Sequence, residues 1–220
     1  MELEQARFNM IEQQIRPWDV LDQKVLDLLA QIPREDFVPP DYRRLAYADT
    51  AIPIGEGEVM MHPKLEGRML QALDLHPTDV VLEVGTGSGY VTALLASVTR
   101  HVYSVDIHPR LQEEAAARLA AHGIENVTLE SGDAAQGWDK HGLCYDVIAI
   151  TGSLPLLPET FQNTLNRGGR LFTVVGEAPV MEAILMRRIG EHQHDISRED
   201  LFETELPALR NAPRPRRFVF

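Results

Sequence analysis

The chain has a single cysteine, Cys144, in 220 residues. That excludes an internal disulfide and any zinc site assembled from several thiolates. No uncharged apolar run approaches the roughly 18 residues that a membrane-spanning helix requires. The opening Met1-Glu2-Leu3-Glu4 lacks the basic flank and apolar stretch of a secretory signal. A cytoplasmic protein with no membrane partner is the expectation. Basic residues are scarce too: 21 against 33 acidic ones give a net charge of −12. Such a surface repels nucleic-acid phosphates unless a local patch overrides it. The one dense basic stretch, Arg210–Arg217, places four arginines among prolines. A solvated terminal segment accounts for it, so no nucleic-acid partner is expected. None of the eight histidines stands at a metal-ligand spacing, so no metal is expected. A G-x-S-x-G elbow is missing, which removes the serine-hydrolase reading. Internal repeats and low-complexity linkers are missing as well.

What is present is ordinary globular material, 44% apolar and 25% charged, with enough length for one domain and an elaboration. Residues 1–78 read as a helical elaboration. Leu21, Val25, Leu28, Leu29 and Ile32 mark one helix face that Pro33 ends, and Leu65, Met69, Ala72 and Leu73 mark another after Pro63. Between them, residues 47–58 read as irregular. From Asp79 strands and helices alternate: strands at Val80–Val84, Val102–Val105, Val127–Glu130, Tyr145–Ile150 and Arg170–Val175, with helices at Tyr90–Val98, around Leu111–Leu119 and around Leu157–Leu165. Ala183–Ile189 and Leu201–Leu206 suit edge strands. Residues 79–220 are therefore expected to form an α/β core, a doubly wound and mostly parallel sheet, compact with the helical unit.

The most informative segment is Val80-Val81-Leu82-Glu83-Val84-Gly85-Thr86-Gly87-Ser88-Gly89-Tyr90. A β-branched strand runs into a glycine turn, with an acid two positions before the first glycine. The next strand ends on Asp106, 21 residues after Gly85. This is a nucleotide-binding βαβ layout, in which the second acid accepts hydrogen bonds from ribose hydroxyls. A dinucleotide fingerprint would need glycine at position 90, where Tyr90 stands. Glu83 reads as a ligand contact, for instance to an ammonium group, or as a structural cap. Asp106, followed by Ile107, reads as a ribose ligand or a helix cap. Asp133, followed by Ala134, reads as a contact to an adenine amino group or a turn residue.

The form E-V-G-T-G-S-G-Y resembles the first motif of S-adenosylmethionine-dependent methyltransferases. The likeness extends over roughly residues 5–176, through Ile32–Pro39, Ala46–Asp49, Ile52–Gly55, Leu82–Tyr90, Gly132-Asp133, Gly137-Trp138 and Gly168-Gly169. Over that span the chain resembles the protein-L-isoaspartate O-methyltransferase family. The resemblance implies S-adenosylmethionine as cofactor, held by Glu83, the turn Gly85-Thr86-Gly87-Ser88-Gly89, Asp106-Ile107 and Asp133-Ala134. It also implies a peptide or protein substrate, a damaged aspartyl residue whose α-carboxylate is capped as a methyl ester so that repair through a succinimide can follow.

One departure stands in the substrate loop. Where the family typically has Q-T-I-S-Q-P, this chain has Glu58-Val59-Met60-Met61-His62-Pro63, and Glu56 adds a second acid. Two hydroxyls are lost, and two carboxylates would repel a docking carboxylate by up to about 4 kcal/mol at contact and intermediate dielectric. A terminal F-V-P-L pattern is reduced to Phe218-Val219-Phe220. Two other functions are therefore kept open: transfer to a small neutral or cationic acceptor, and cofactor binding without transfer. A neutral acceptor would need a base, for which His62 is the candidate, although His62 also suits a flank to the helix starting at Pro63. Oligomeric state is not legible.

Overall fold

The computed structural model describes residues 2–215. Phe218-Val219-Phe220 and the basic Arg216-Arg217 lie outside them.

The chain begins with α1 (Glu2–Met10), continues through helical turns over 11–18 to α2 (Gln23–Gln31), and reaches a two-stranded hairpin, β1 (Ile52–Gly55) and β2 (Glu58–Met60). Helix α3 (Pro63–Leu73) then leads into the sheet. Asp22 caps α2 by accepting from Lys24 N (2.8 Å), and Pro63 sits in the first turn of α3, where its missing N–H costs nothing. The hairpin falls where the sequence reads as irregular. Its strands have only four and three residues, too few for alternation to show.

Seven further strands follow: β3 (Val80–Val84), β4 (His101–Asp106), β5 (Val127–Ser131), β6 (Tyr145–Leu154), β7 (Leu165–Glu177), β8 (Val180–Arg188) and β9 (Ile196–Glu203). Helices α4 (Tyr90–Ala96), α5 (Pro109–Ala121) and α6 (Glu159–Asn163) connect them. The sheet order is β5-β4-β3-β6-β7-β8-β9, with β3 to β7 parallel and the last two antiparallel. This is the doubly wound fold expected from the sequence. The last two strands form a hairpin with β7 rather than isolated edges, and β7 begins at Leu165, which the sequence pattern assigns to a helix.

Alternate residues of each central strand enter different layers. Val81, Val102, Val147 and Phe172 face a core shared with α2, α3, α4 and the residues around Met10 to Val20. Leu82, Val105, Ile148 and Leu171 face a second core with Tyr145 and Phe161. Burial on both faces follows from the parallel sheet and from near-continuous apolar strands such as Val-Ile-Ala-Ile. The order reverses between β4 and β6 on either side of β3, which opens a crevice at the strands' carboxyl ends.

Candidate active site

Strand β3 ends because Gly85 adopts φ +100°, a left-handed conformation that turns the chain across the top of the sheet. A Cβ there would overlap Thr151 Oγ1, so glycine is required sterically as well. Thr151 Oγ1 lies 2.9 Å from the carbonyl oxygen of Val84 and 2.7 Å from that of Gly85, while Gly85 N donates to Val105 O (2.8 Å). Strands β3, β4 and β6 are thus tied together where the turn begins. Asp106 completes the floor. Its Oδ2 accepts from Gly87 N and its Oδ1 from His108 N, both at 2.8 Å. Each oxygen keeps a lone pair for a ligand hydroxyl.

The crevice above this floor is lined by Gly85, Gly87, Asp106, Ile107, Asp133 and Ala134, together with Ile54, Glu58 and Val59 of the hairpin. A smaller one adjoins it through Ile54, Val59, Gly85, Gly87 and Thr151, and adds Met60, Met61, Thr86, Ser88 and Glu66. The structure therefore brings together the glycine turn, Asp106, Asp133 and the substrate loop. Four expected residues, Glu83, Gly89, Glu56 and His62, line neither crevice.

Glu83 is one of them. It lines neither crevice and is fully buried behind the turn. Thr92 Oγ1 (2.5 Å) and Ser104 Oγ (2.6 Å) both donate to its Oε2, while Oε1 has no partner among the described residues. Because the Ser104 hydrogen goes to Glu83, Thr86 Oγ1 is the donor in its 2.6 Å bond to Ser104 Oγ. Glu83 thus reaches the crevice through a relay of hydroxyls. Burial pushes its carboxyl up to about 8; the two hydroxyls counter that shift and the nearby Asp106 charge adds to it. The sequence pattern identifies the acid but not its depth.

His62 is another. It occupies the position before α3, its backbone carbonyl accepting from Leu65 N and Glu66 N, and its ring Nδ1 meets Asp49 Oδ1 at 3.1 Å. His62 is not among the lining residues of either crevice, and its place before α3 agrees with the helix-flanking reading. Burial would raise the Asp49 carboxyl, but hydrogen bonds from Lys64 and His62 lower it overall.

The acids of the substrate loop also differ from expectation. Glu58 Oε1 accepts from Arg210 Nε at 2.6 Å and faces His108 Nε2 at 3.3 Å. Glu56 Oε1 meets Arg110 Nη1 at 3.4 Å, and its carbonyl meets Arg210 Nη2 at 3.2 Å. The repulsion inferred from two bare carboxylates is therefore largely offset by cations that lie far away in sequence. Beneath the loop, the buried Arg34 pairs with the buried Glu66, donates from Nη2 to Met61 O (2.8 Å), and lies 4.9 Å from the centre of the Tyr90 ring. Burial raises the Glu66 carboxyl despite the attraction of Arg34.

Residues 206–211 form a wall that the sequence reading missed. Ser153 N donates to Pro207 O and Leu209 N to Ser153 O, both at 2.9 Å, and Ser153 Oγ donates to Leu206 O at 2.8 Å. Leu206 to Arg210 line the crevice as a result, and Asn211 Nδ2 donates to Asp133 Oδ2 (2.9 Å). Arg210 is visible in the sequence only as one more arginine of a charged stretch.

Known proteins resemble this chain in sequence and fold. The family model described as Protein-L-isoaspartate(D-aspartate) O-methyltransferase matches residues 5–203. A protein-L-isoaspartate O-methyltransferase of Petrotoga mobilis is 40% identical over 176 residues, 80% of this chain and 83% of its own. That of Roseiflexus castenholzii is 38% identical over 191 residues, 87% of each chain. A Plasmodium falciparum structure solved in complex with S-adenosyl-L-homocysteine superposes with a TM-score of 0.79, covering 94% of this chain and 98% of that one. At 19% identity that likeness speaks for the fold alone. With the family model spanning most of its length and relatives near 40% identity, the chain belongs to the protein-L-isoaspartate(D-aspartate) O-methyltransferase family.

Proposed function

We propose that this protein is an S-adenosylmethionine-dependent methyltransferase that esterifies the α-carboxylate of isoaspartyl residues in damaged proteins, acting in the cytoplasm. The observation that carries the reading is the glycine turn seated on Asp106 at the switch point of the sheet, in a chain of this family. The residues fit the cofactor. Glycines at 85 and 87 let a ligand approach the main chain, Asp106 has lone pairs for ribose hydroxyls, and Asp133 keeps acceptor capacity for an adenine amino group.

When bound, S-adenosylmethionine supplies a methyl group activated by a sulfonium. The protein's part is alignment and exclusion of water, in which the hairpin and residues 206–211 flank the crevice. A carboxylate acceptor is ionised at neutral pH and needs no general base. The position of His62 outside the crevice is compatible with that chemistry. Transfer to a small neutral or cationic acceptor draws its support from Glu56, Glu58 and the lost hydroxyls, and the pairing of the two acids with Arg110 and Arg210 weakens the part that rests on charge.

Incubation with methyl-labelled cofactor and a peptide carrying one isoaspartyl residue should yield a base-labile methyl ester, with no label on the normal aspartyl peptide. Calorimetry should show micromolar binding of S-adenosylhomocysteine. Binding without any transfer would leave a cofactor-binding protein and overturn the assignment.

A further inference from the structure

Four carboxylates line the two adjoining crevices: Glu58, Asp106, Asp133 and Glu66. Among the described lining residues only one lysine or arginine faces them, Arg210. An acceptor that is itself a carboxylate enters this acidic crevice only if a cation receives it.

We propose that Arg210 is the specificity residue that binds the acceptor's carboxylate, and that Glu58 holds the guanidinium as an internal stand-in until substrate arrives. The inference rests on the isoaspartyl reading above and deepens it. Arg210 now spends Nε on Glu58 Oε1 and Nη2 on the Glu56 carbonyl. A guanidinium carries five N–H donors in a planar fork matched to a carboxylate, so it can take the substrate group as Glu58 leaves. The present pair is half exposed, and such pairs exchange readily with solvent and with competing ions. Glu58 has a second resting partner, His108 Nε2, which receives it when it swings away.

The arm bearing Arg210 is fixed at its root. Three hydrogen bonds with Ser153 hold Leu206 to Leu209, and Asn211 is tied to Asp133. The guanidinium is therefore presented from a stationary base, which is what alignment of a weak nucleophile requires. A carboxylate bound through one oxygen retains its charge and offers the other. That oxygen would be free to take the methyl group that S-adenosylmethionine supplies when bound, the carbon–sulfur electron pair staying on sulfur. No proton moves.

The test uses the full chain with a synthetic isoaspartyl peptide at saturating cofactor, and separate calorimetry with S-adenosylhomocysteine. Arg210→Ala should raise the peptide KM by about tenfold or more, the value of one charge-assisted hydrogen bond, with cofactor affinity retained. Arg210→Lys should fall between the two, because it keeps the charge and loses the fork. Glu58→Gln should lower KM, and the double variant should resemble Arg210→Ala alone. An unchanged KM in Arg210→Ala, in a wild-type background that methylates the peptide, overturns the assignment of Arg210 and leaves the function standing. Equal losses of peptide and cofactor affinity would make the arm a cofactor clamp and overturn it too. A wild-type chain that binds S-adenosylhomocysteine but methylates no isoaspartyl peptide removes the parent reading, and the role of Arg210 with it.

Discussion

The floor and the rim of the crevice are built by different means. The floor consists of the glycine turn and Asp106, neighbours in one βαβ unit, joined by main-chain donors at 2.8 Å. The rim joins residues 54–61 to residues 206–211, and the bonds between those two segments run from a half-exposed guanidinium to Glu58 and the Glu56 carbonyl. Main-chain donors fixed by the turn on the buried Asp106 cannot rearrange as side chains do, so damage to the floor is close to all-or-none. Exposed ion pairs trade with water and salt, so changes at the rim are graded. On the proposed function, cofactor binding would thus rest on rigid backbone and acceptor choice on exchangeable side chains.

The largest test of that contrast is Gly85→Val. The branched side chain meets Thr151 in a backbone conformation that L-residues avoid, so S-adenosylhomocysteine binding should vanish from calorimetry. Retained binding would mean that the turn is not the floor.

Next comes the support under the rim. Arg34→Met strands the buried Glu66 and frees Met61 O, and should cost about 3–5 kcal/mol of stability in denaturant unfolding. Arg34→Met with Glu66→Leu should recover much of that loss, because no charge is then left buried alone. Failure of the double variant to recover would show that the tie to Met61, rather than the charge pair, holds the loop.

The smallest effect belongs to Glu83. Its folded carboxyl titrates near 8 against an ordinary value of 4.5, so the folded state binds the proton more tightly than the unfolded one. The stability it contributes is complete below the ordinary value and is lost as pH rises through about 8. Glu83→Gln should match the wild type near pH 5 and melt a few degrees higher near pH 9, as followed by circular dichroism. Identical pH profiles would mean that Glu83 is ionised throughout, with its charge balanced from the crevice side.

The same contrast explains what could be read in the sequence. The turn 85–89 and Asp106 declare themselves because glycine conformation and strand spacing are local properties. The parallel strands declare themselves through apolar runs. Glu83 is identified as significant, but its depth is not legible, since burial behind the turn brings it to Ser104 and Thr92, which carry no motif. Glu58 reads as a repulsive charge because its partner Arg210 lies 152 residues away. Arg34 lies just past the helix that Pro33 ends and Glu66 on the helix after Pro63, and only tertiary packing makes them a buried pair.

Ser153 gives the molecule a timetable. The chain that closes the crevice is translated long after the turn and Asp106, and it docks beside a strand already flanked on both edges. A nascent chain with strands β3 to β7 in place has the cradle but no wall. The wall docks together with the last pieces of both cores, since Leu206 belongs to one and Leu209 packs on the other.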